Sequence, residues 1–173
     1  MNIRKLILLT FISLFFGCKR QEKQKNEITK IYIATGLCYG YCPIQSVEID
    51  SSLTVKYYGK NYAKKKGFYI GKITPEVWDS INSRFERIKF KELDSVYNHS
   101  IDDPPVYLKV NYNNQVKKVR AQSSSLPDEV KKTYRWVITV AESVKLKKTN
   151  DTLDFDNDNL KFIYPPPPPP RRK

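Results

Sequence analysis

Residues 31–50 read Ile-Tyr-Ile-Ala-Thr-Gly-Leu-Cys-Tyr-Gly-Tyr-Cys-Pro-Ile-Gln-Ser-Val-Glu-Ile-Asp, two alternating runs separated by a segment that carries two cysteines. Ile31, Ile33 and Thr35 alternate with Tyr32 and Ala34, the period-two pattern of a strand with unlike faces. Beyond Pro43, Ile44, Ser46, Glu48 and Asp50 oppose Gln45, Val47 and Ile49 in the same manner. Two glycines and a proline interrupt the alternation between these runs, so the segment reads strand, turn, strand.

Asp50-Ser51-Ser52 turns the chain into a third strand over Leu53 to Tyr58. Gly59 to Gly67, with Lys60, Asn61, Lys64, Lys65 and Lys66, reads as a solvated loop, and Phe68 to Lys72 as a fourth short strand. A helix opens at Thr74-Pro75-Glu76. Thr74 can accept a backbone N–H, Pro75 suits the first helical position, and Glu76 favours the positive end of the helix dipole. Val77, Trp78, Ile81, Phe85 and Ile88 recur at helical spacing as one apolar face. Asn98 to Pro105 is a loop. Val106, Leu108 and Val110 then alternate with Tyr107, Lys109 and Asn111. Asn113-Asn114 suits left-handed turn positions, and Gln115 to Ala121 returns as a hairpin partner. A second helix follows Pro127-Asp128-Glu129, with Ser125 as its candidate N-cap and Val130, Tyr134, Val137, Ile138, Ala141 and Val144 as its buried face. The order ββββαββα predicts an α+β fold, an antiparallel sheet with both helices packed on one face.

The ends of the chain differ from this middle. Arg4 and Lys5 precede an apolar run from Leu6 to Phe16 that is too short to span a bilayer, which needs roughly 20 apolar residues. Lys19 and Arg20 follow at once. The closing residues Leu14-Phe15-Phe16-Gly17-Cys18 resemble the lipobox of bacterial lipoprotein signal peptides, although Phe15 and Phe16 depart from its usual pattern. That resemblance implies cleavage before Cys18 and lipid on its sulfur. Residues 1–17 are thus expected to be a signal peptide and residues 18–27 a flexible tether. The basic tether, Lys19 to Asn26, favours the outer membrane, facing the periplasm, over the cell surface. Residues 28–146 form the single predicted domain. From Lys147 the periodicity stops, and residues 147–173 read as a disordered tail in which Pro165 to Pro170 forms a rod of roughly 19 Å at about 3.1 Å per residue. Arg171-Arg172-Lys173 ends it.

The 173-residue chain carries 31 lysines and arginines against 18 acidic residues, a formal charge of +13 that falls to +11 when Arg4 and Lys5 leave with the signal peptide. Such a balance ordinarily raises nucleic acid as a partner. Export removes that partner and leaves the membrane reached through Cys18, an envelope protein or an anionic glycan. Tyr57, Tyr58, Tyr62, Phe68 and Tyr69 interleave with Lys56, Lys60 and Lys64 to Lys66, which suits stacking on sugar rings. The plainer account is aromatic pairing across strands with lysines guarding an edge.

With Cys18 lipidated, Cys38 and Cys42 remain as an even pair in an oxidising compartment, where a structural disulfide is the expected state. Gly40 would permit the sharp turn that such a short ring requires. For a ring of this size the chain-entropy gain is only about 2 kcal/mol, so the bond would stiffen a loop more than hold a domain together.

The signal, the first strand, the motif Cys38-Tyr39-Gly40-Tyr41-Cys42-Pro43 and the strand after it resemble a family of small bacterial envelope lipoproteins classed as a domain of unknown function. The likeness covers roughly Ile28 to Val144. It implies the fold and the location, and no activity. The motif is also similar to the Cys-x-x-x-Cys-Pro of periplasmic copper chaperones, in which a distant histidine completes a Cu(I) site. His99 would have to serve here. A strand after Cys42, where those chaperones have a helix, argues against copper, and no helix N-terminus activates either thiol for redox exchange.

His99 stands near Asp102 and Asp103, a base beside carboxylates such as a hydrolase would need, but a lone histidine among turn residues more often makes loop hydrogen bonds. No Gly-x-Ser-x-Gly, His-Glu-x-x-His or phosphate loop occurs. Asp154, Asp156 and Asp158 alternate as calcium ligands do, but Asn159 stands where a calcium loop needs glycine and Pro165 where it needs glutamate. The expectation is a tethered, non-catalytic binding or structural module without cofactor, with a Cys38–Cys42 disulfide. The alternatives are a copper-handling or thiol–disulfide redox protein using Cys38, Cys42 and His99, and an anionic-glycan binder.

Overall fold

The structure is a computed structural model and describes residues 28–98 and 103–156. The signal, Cys18, the tether, His99 to Asp102 and the polyproline segment lie outside the described residues. Strands β1 (Ile28–Thr35), β2 (Gln45–Asp50), β3 (Thr54–Gly59) and β4 (Gly67–Lys72) form the expected meander, and α1 (Pro75–Arg87) follows. Then come β5 (Val96–Tyr97), the hairpin β6 (Pro105–Tyr112) and β7 (Val116–Gln122), α2 (Asp128–Ser143) and β8 (Lys147–Thr149). All eight strands join one sheet in the order β5-β7-β6-β1-β2-β3-β4-β8, with β1 between β2 and β6. The fold is α+β. Among the described strands only the two-residue β5 runs parallel to its neighbour, β7.

The alternation decides which face is covered. Ile31 and Ile33 of β1 stand opposite Ile49 and Val47 of β2 and Val110 and Leu108 of β6, and all six are buried in one core with Val55 and Tyr57. Helices α1 and α2 lay Ile81, Phe85, Val130, Tyr134, Val137 and Ala141 into the same core. Each large apolar side chain among them contributes about 1.5–3 kcal/mol on leaving water. Thr74 caps α1, its Oγ1 accepting from the Val77 N–H, and Pro75 occupies the first helical position, as the sequence predicts.

Three local expectations give way. Helix α2 begins after Pro127, which has no side-chain capping bond, and Ser125 belongs to a preceding 3-10 turn. Fixing φ at a value that suits helix entry lets Pro127 start the helix without a capping hydroxyl. Asn113 and Asn114 do form the β6–β7 turn, but neither has positive φ. The hairpin closes through the Tyr112 N–H on the Gln115 carbonyl, around Asn113 and Asn114 alone.

The third concerns the tail, which does not leave the domain at residue 147. Lys147, Lys148 and Thr149 pair with Ile70, Tyr69 and Phe68 and extend the sheet past β4. Gly71 makes room for the approach. A Cβ there would lie 2.8 Å from Leu146 Cδ2 and 3.1 Å from the Lys145 carbonyl. The chain then crosses the face of the sheet that carries no helix. Phe155 is buried against Tyr32, Ala34 and Tyr107, with Leu153, Tyr58 and Phe68 packed around them. Its ring lies 6.0 Å from that of Tyr32. Asp156 accepts from Lys109 Nζ at 2.5 Å and from Asn111 Nδ2 at 2.9 Å, and its own N–H donates to Glu48 at 2.7 Å.

Burial raises the Asp156 pKa, but the hydrogen bonds from Lys109 and Asn111 and the charges of Lys109 and Lys30 outweigh it and leave the carboxyl below its ordinary value. A carboxylate so depressed stabilises the folded state fully above its unfolded pKa of about 3.9, and the contribution is lost as pH falls through the lower folded value. Acid titration by NMR should therefore release the Phe155 ring from Tyr32 below about pH 4 while the β1–β2 amides stay protected. Simultaneous loss of both sets of signals would show that the tail has no separate acid step.

Candidate functional site

The described residues hold two concentrations of unusual side chains, and the first lies at the end of the sheet where β1 stops. Gly36 bonds through its N–H to the Pro105 carbonyl, and Thr35 Oγ1 donates to the Pro43 carbonyl at 2.6 Å. The chain between them bulges outward and is closed by a Cys38–Cys42 disulfide, with Cα atoms 5.7 Å apart. The sulfurs are bonded to each other, so neither is a thiolate in this state. Gly40 is not the reason the ring closes. It lacks positive φ, and a Cβ there would meet only Cys38 Sγ, at 3.8 Å. The ring is held instead by its ends and by the Gly40 N–H, 3.2 Å from Cys38 Sγ.

The glycine that matters is Gly59, at the end of β3. A Cβ there would lie 2.0 Å from the Lys65 carbonyl, so only glycine lets the β3–β4 loop fold back onto its strand. That loop is tied to the cysteine loop by two backbone bonds, Ile44 N–H to the Asn61 carbonyl and Lys60 N–H to the Ile44 carbonyl. Tyr62 adopts φ of 60°, a left-handed conformation that costs a bulky residue about 1–3 kcal/mol. The two loops bring Tyr41 and Tyr62 edge to face, with centroids 5.1 Å apart. Tyr39, Tyr41 and Tyr62 are 73%, 84% and 52% exposed, although tyrosines in the sheet, such as Tyr57, are wholly buried. Exposed aromatic residues gathered at one place on a domain mark an interaction surface more often than scattered ones do.

Beside this rim, between the cysteine loop, the start of β6 and α2, lies a cleft of about 270 Å³. Its lining includes the polar side chains of Thr35, Gln45, Ser123, Tyr134, Arg135 and Glu142. Ser123 Oγ and the Tyr134 hydroxyl are 2.8 Å apart, and Arg135 reaches each of them at 3.4 Å. Tyr57 donates to Gln45 Oε1 at 3.0 Å from beneath, and burial, with Glu142 nearby, pushes its pKa up to about 12. It stays a proton donor at any physiological pH. The arrangement offers hydroxyls, one amide, a guanidinium and stacking surface, which together suit binding.

Lysines 64 and 65, which the sequence suggests as glycan contacts, hold the β3–β4 loop to the end of α2. Lys64 pairs with Glu142 at 2.8 Å and Lys65 Nζ donates to the Glu142 carbonyl at 2.8 Å. The aromatic residues of β3 and β4 pair across the strands, Tyr58 stacked on Phe68 at 4.5 Å and Tyr57 edge-on to Tyr69 at 6.1 Å. Of that group, Tyr62 faces outward at the rim.

The second concentration lies on the helix-free face of the sheet. Glu48, 2% exposed, accepts from Lys56 Nζ at 2.9 Å, with Lys30 Nζ at 4.0 Å. Lys30 also lies 3.9 Å from Asp156, and Lys56 donates to the Asp154 carbonyl at 2.8 Å. Asp156, one of three alternating aspartates with calcium spacing, thus faces lysines, and Asp158 lies outside the described residues. No group of three or more histidine, cysteine or acidic side chains placed to hold a metal occurs among the described residues. His99, the third copper ligand of the alternative reading, lies outside them. Among the described residues no helix is long and apolar enough to cross a membrane.

Sequence reasoning singles out the cysteines but not Ser123, Arg135 or Glu142. Arg135 and Glu142 stand seven residues apart, two turns of one helix face, and that spacing is the available signal. Residues 29–141 match the family model described as a domain of unknown function, DUF6438. The match runs from β1 to the last turn of α2 and takes in the cysteine loop and nearly all of the cleft. No curated protein matches the chain.

Proposed function

Since the chain belongs to DUF6438, a family of domains of unknown function, we propose that it is a non-catalytic binding module of the bacterial cell envelope. Lipid on Cys18 tethers it to the outer membrane on the periplasmic side, and an anionic glycan is its ligand at the tyrosine rim. One observation carries the reading. The disulfide and the strained Tyr62 backbone hold large aromatic side chains out in solvent, where burial does not account for them. Tyrosine supplies broad contact area at low entropy cost, and a closed ring lowers that cost further. Lys60 and Lys66 are exposed in the adjoining loop and Arg135 is exposed beside it, so the rim favours an anion.

The tether supports the same orientation. Chain entry at Ile28 and the rim lie at opposite ends of β1, so a domain held through residues 18–27 presents the rim away from its anchor. At about 0.8 kcal/mol per buried methylene, two or three acyl chains hold such a protein essentially permanently. Metabolic labelling with a fatty acid tests the anchor. The full chain should take up label and sediment with membranes, and Cys18→Ser should do neither. An unlabelled full chain found in the cytosol with residues 1–17 still attached would overturn the proposal.

A further inference from the structure

The helix-free face of the sheet is covered along one line by the chain's own residues 153–156, and the contacts there have the form of ligand recognition. Tyr32 and Tyr107, each 1% exposed, make an aromatic floor whose rings meet edge-on at 6.0 Å and receive Phe155. Lys109 is 6% exposed, and a lysine so buried requires an anion, which here comes from Asp156, 47 residues away. Glu48 supplies an acceptor for a backbone N–H and Lys56 a donor for a backbone carbonyl, the two groups of an extended chain that carry no sequence information. The floor thus reads an aromatic residue followed by a carboxylate, and its edges hold the main chain around them.

What occupies the groove is joined to the domain by an exposed link. Between β8 and Phe155 the chain runs through Asn150, Asp151 and Thr152, all exposed, and its last strand has three residues on a sheet edge. An exposed link and a short edge strand are features of segments that open locally before the rest of a domain. The family match ends at residue 141, so the groove belongs to the matched domain and the segment lying in it does not. Lifting that segment takes Asp156 from Lys109 and Lys30, and takes the Asp156 amide from Glu48. It leaves a cationic, aromatic face flanked by Arg120, whose guanidinium lies 5.8 Å from the Tyr107 ring.

We propose that this face is a second binding surface, for an extended peptide segment of another protein in which an aromatic residue precedes an aspartate or glutamate, and that residues 153–156 occupy it in cis as a displaceable strap. The surface is separate from the tyrosine rim, and it stands or falls without that reading. The probe is a fluorescent heptapeptide with the sequence of residues 150–156, compared with one in which the positions of Phe155 and Asp156 are serine and asparagine. The protein is the full chain, wild type and Phe155→Ala/Asp156→Asn. The first peptide should bind the double variant at least tenfold tighter than wild type, and weaken as salt rises. The second should bind neither protein. No binding to a folded double variant, or equal binding of both peptides, would overturn the proposal. Should the double variant fail to fold, amide exchange of the wild type decides. The Phe155 and Asp156 amides should exchange at least a hundredfold faster than those of β1 and β6, and exchange only with global unfolding would show the strap to be a fixed part of the fold.

Discussion

Replacing Glu48 with alanine should destabilise the protein by about 3 kcal/mol, read as a lower urea midpoint at unchanged slope and a melting temperature lower by roughly 10 °C. Glu48 is almost wholly enclosed on β2 yet carries a charge that Lys56 and Lys30 answer from the neighbouring strands. Removing one partner of a buried pair typically costs about 3–5 kcal/mol, because the charge left behind is desolvated without compensation. The lower end applies because Lys56 and Lys30 keep 30% and 34% of their side-chain surface and can turn to water. Part of the loss is the Asp156 N–H, which forfeits its acceptor. Glu48→Gln loses the same charge but retains an acceptor for the Asp156 N–H, so it should cost less than alanine by about 0.5–1.5 kcal/mol, the net worth of an ordinary hydrogen bond. Equal losses in the two variants would show that the acceptor contributes nothing beyond the charge that both variants lack.

Phe85→Ala should cost about 4 kcal/mol by the same measurement. Phe85 is 2% exposed on α1 and meets Phe90 edge-on, centroids 5.2 Å apart. Truncation removes the transfer energy of the ring, leaves a cavity under α1, and ends an aromatic pair worth about 0.5–1.5 kcal/mol. Phe90 opens the 3-10 turn that leads to β5, so amide protection at Val96 and Tyr97 should fall further than protection in β2. An exposed apolar residue of the sheet gives the comparison. Ile70→Thr, on β4, should shift stability by less than about 0.5 kcal/mol. A Phe85→Ala loss below about 1 kcal/mol would mean that α1 is not packed as described.

Elements whose signals are local are legible in the sequence. Thr74-Pro75 marks the start of α1, and the alternation in residues 31–35 and 45–50 assigns the correct side chains to the core. What is not legible depends on partners far along the chain. Strand β5 has two residues, too few for any period, and exists because the Arg120 N–H reaches the Ser95 carbonyl. Strand β8 is Lys-Lys-Thr, a polar sequence that pairs because an edge of β4 stands open beside it. The strap shows only Leu153 and Phe155 among aspartates. Its aspartate finds Lys109 at a separation of 47 residues and its amide finds Glu48 at 108, distances over which no pattern in the tail can report.

The candidate site divides in the same way. The cysteine pair is a motif and can be read, and its closure into a disulfide stands in the structure. The conformation of Tyr62 cannot be read, because it follows from the close approach of the Lys65 carbonyl to Gly59 and from two backbone bonds to the cysteine loop. Nor can the engagement of Lys65, since the end of α2 that it holds lies 77 residues on.

The most direct test of the account is retention of the full chain on isolated anionic envelope glycan, for wild type and for Tyr39→Ser/Tyr41→Ser/Tyr62→Ser. Wild type should be held at low salt and released as ionic strength rises, and the triple variant should bind at least tenfold more weakly while melting at the same temperature. Equal retention of the two proteins, or no retention of the wild type, would contradict the assignment of the tyrosine rim as the binding site.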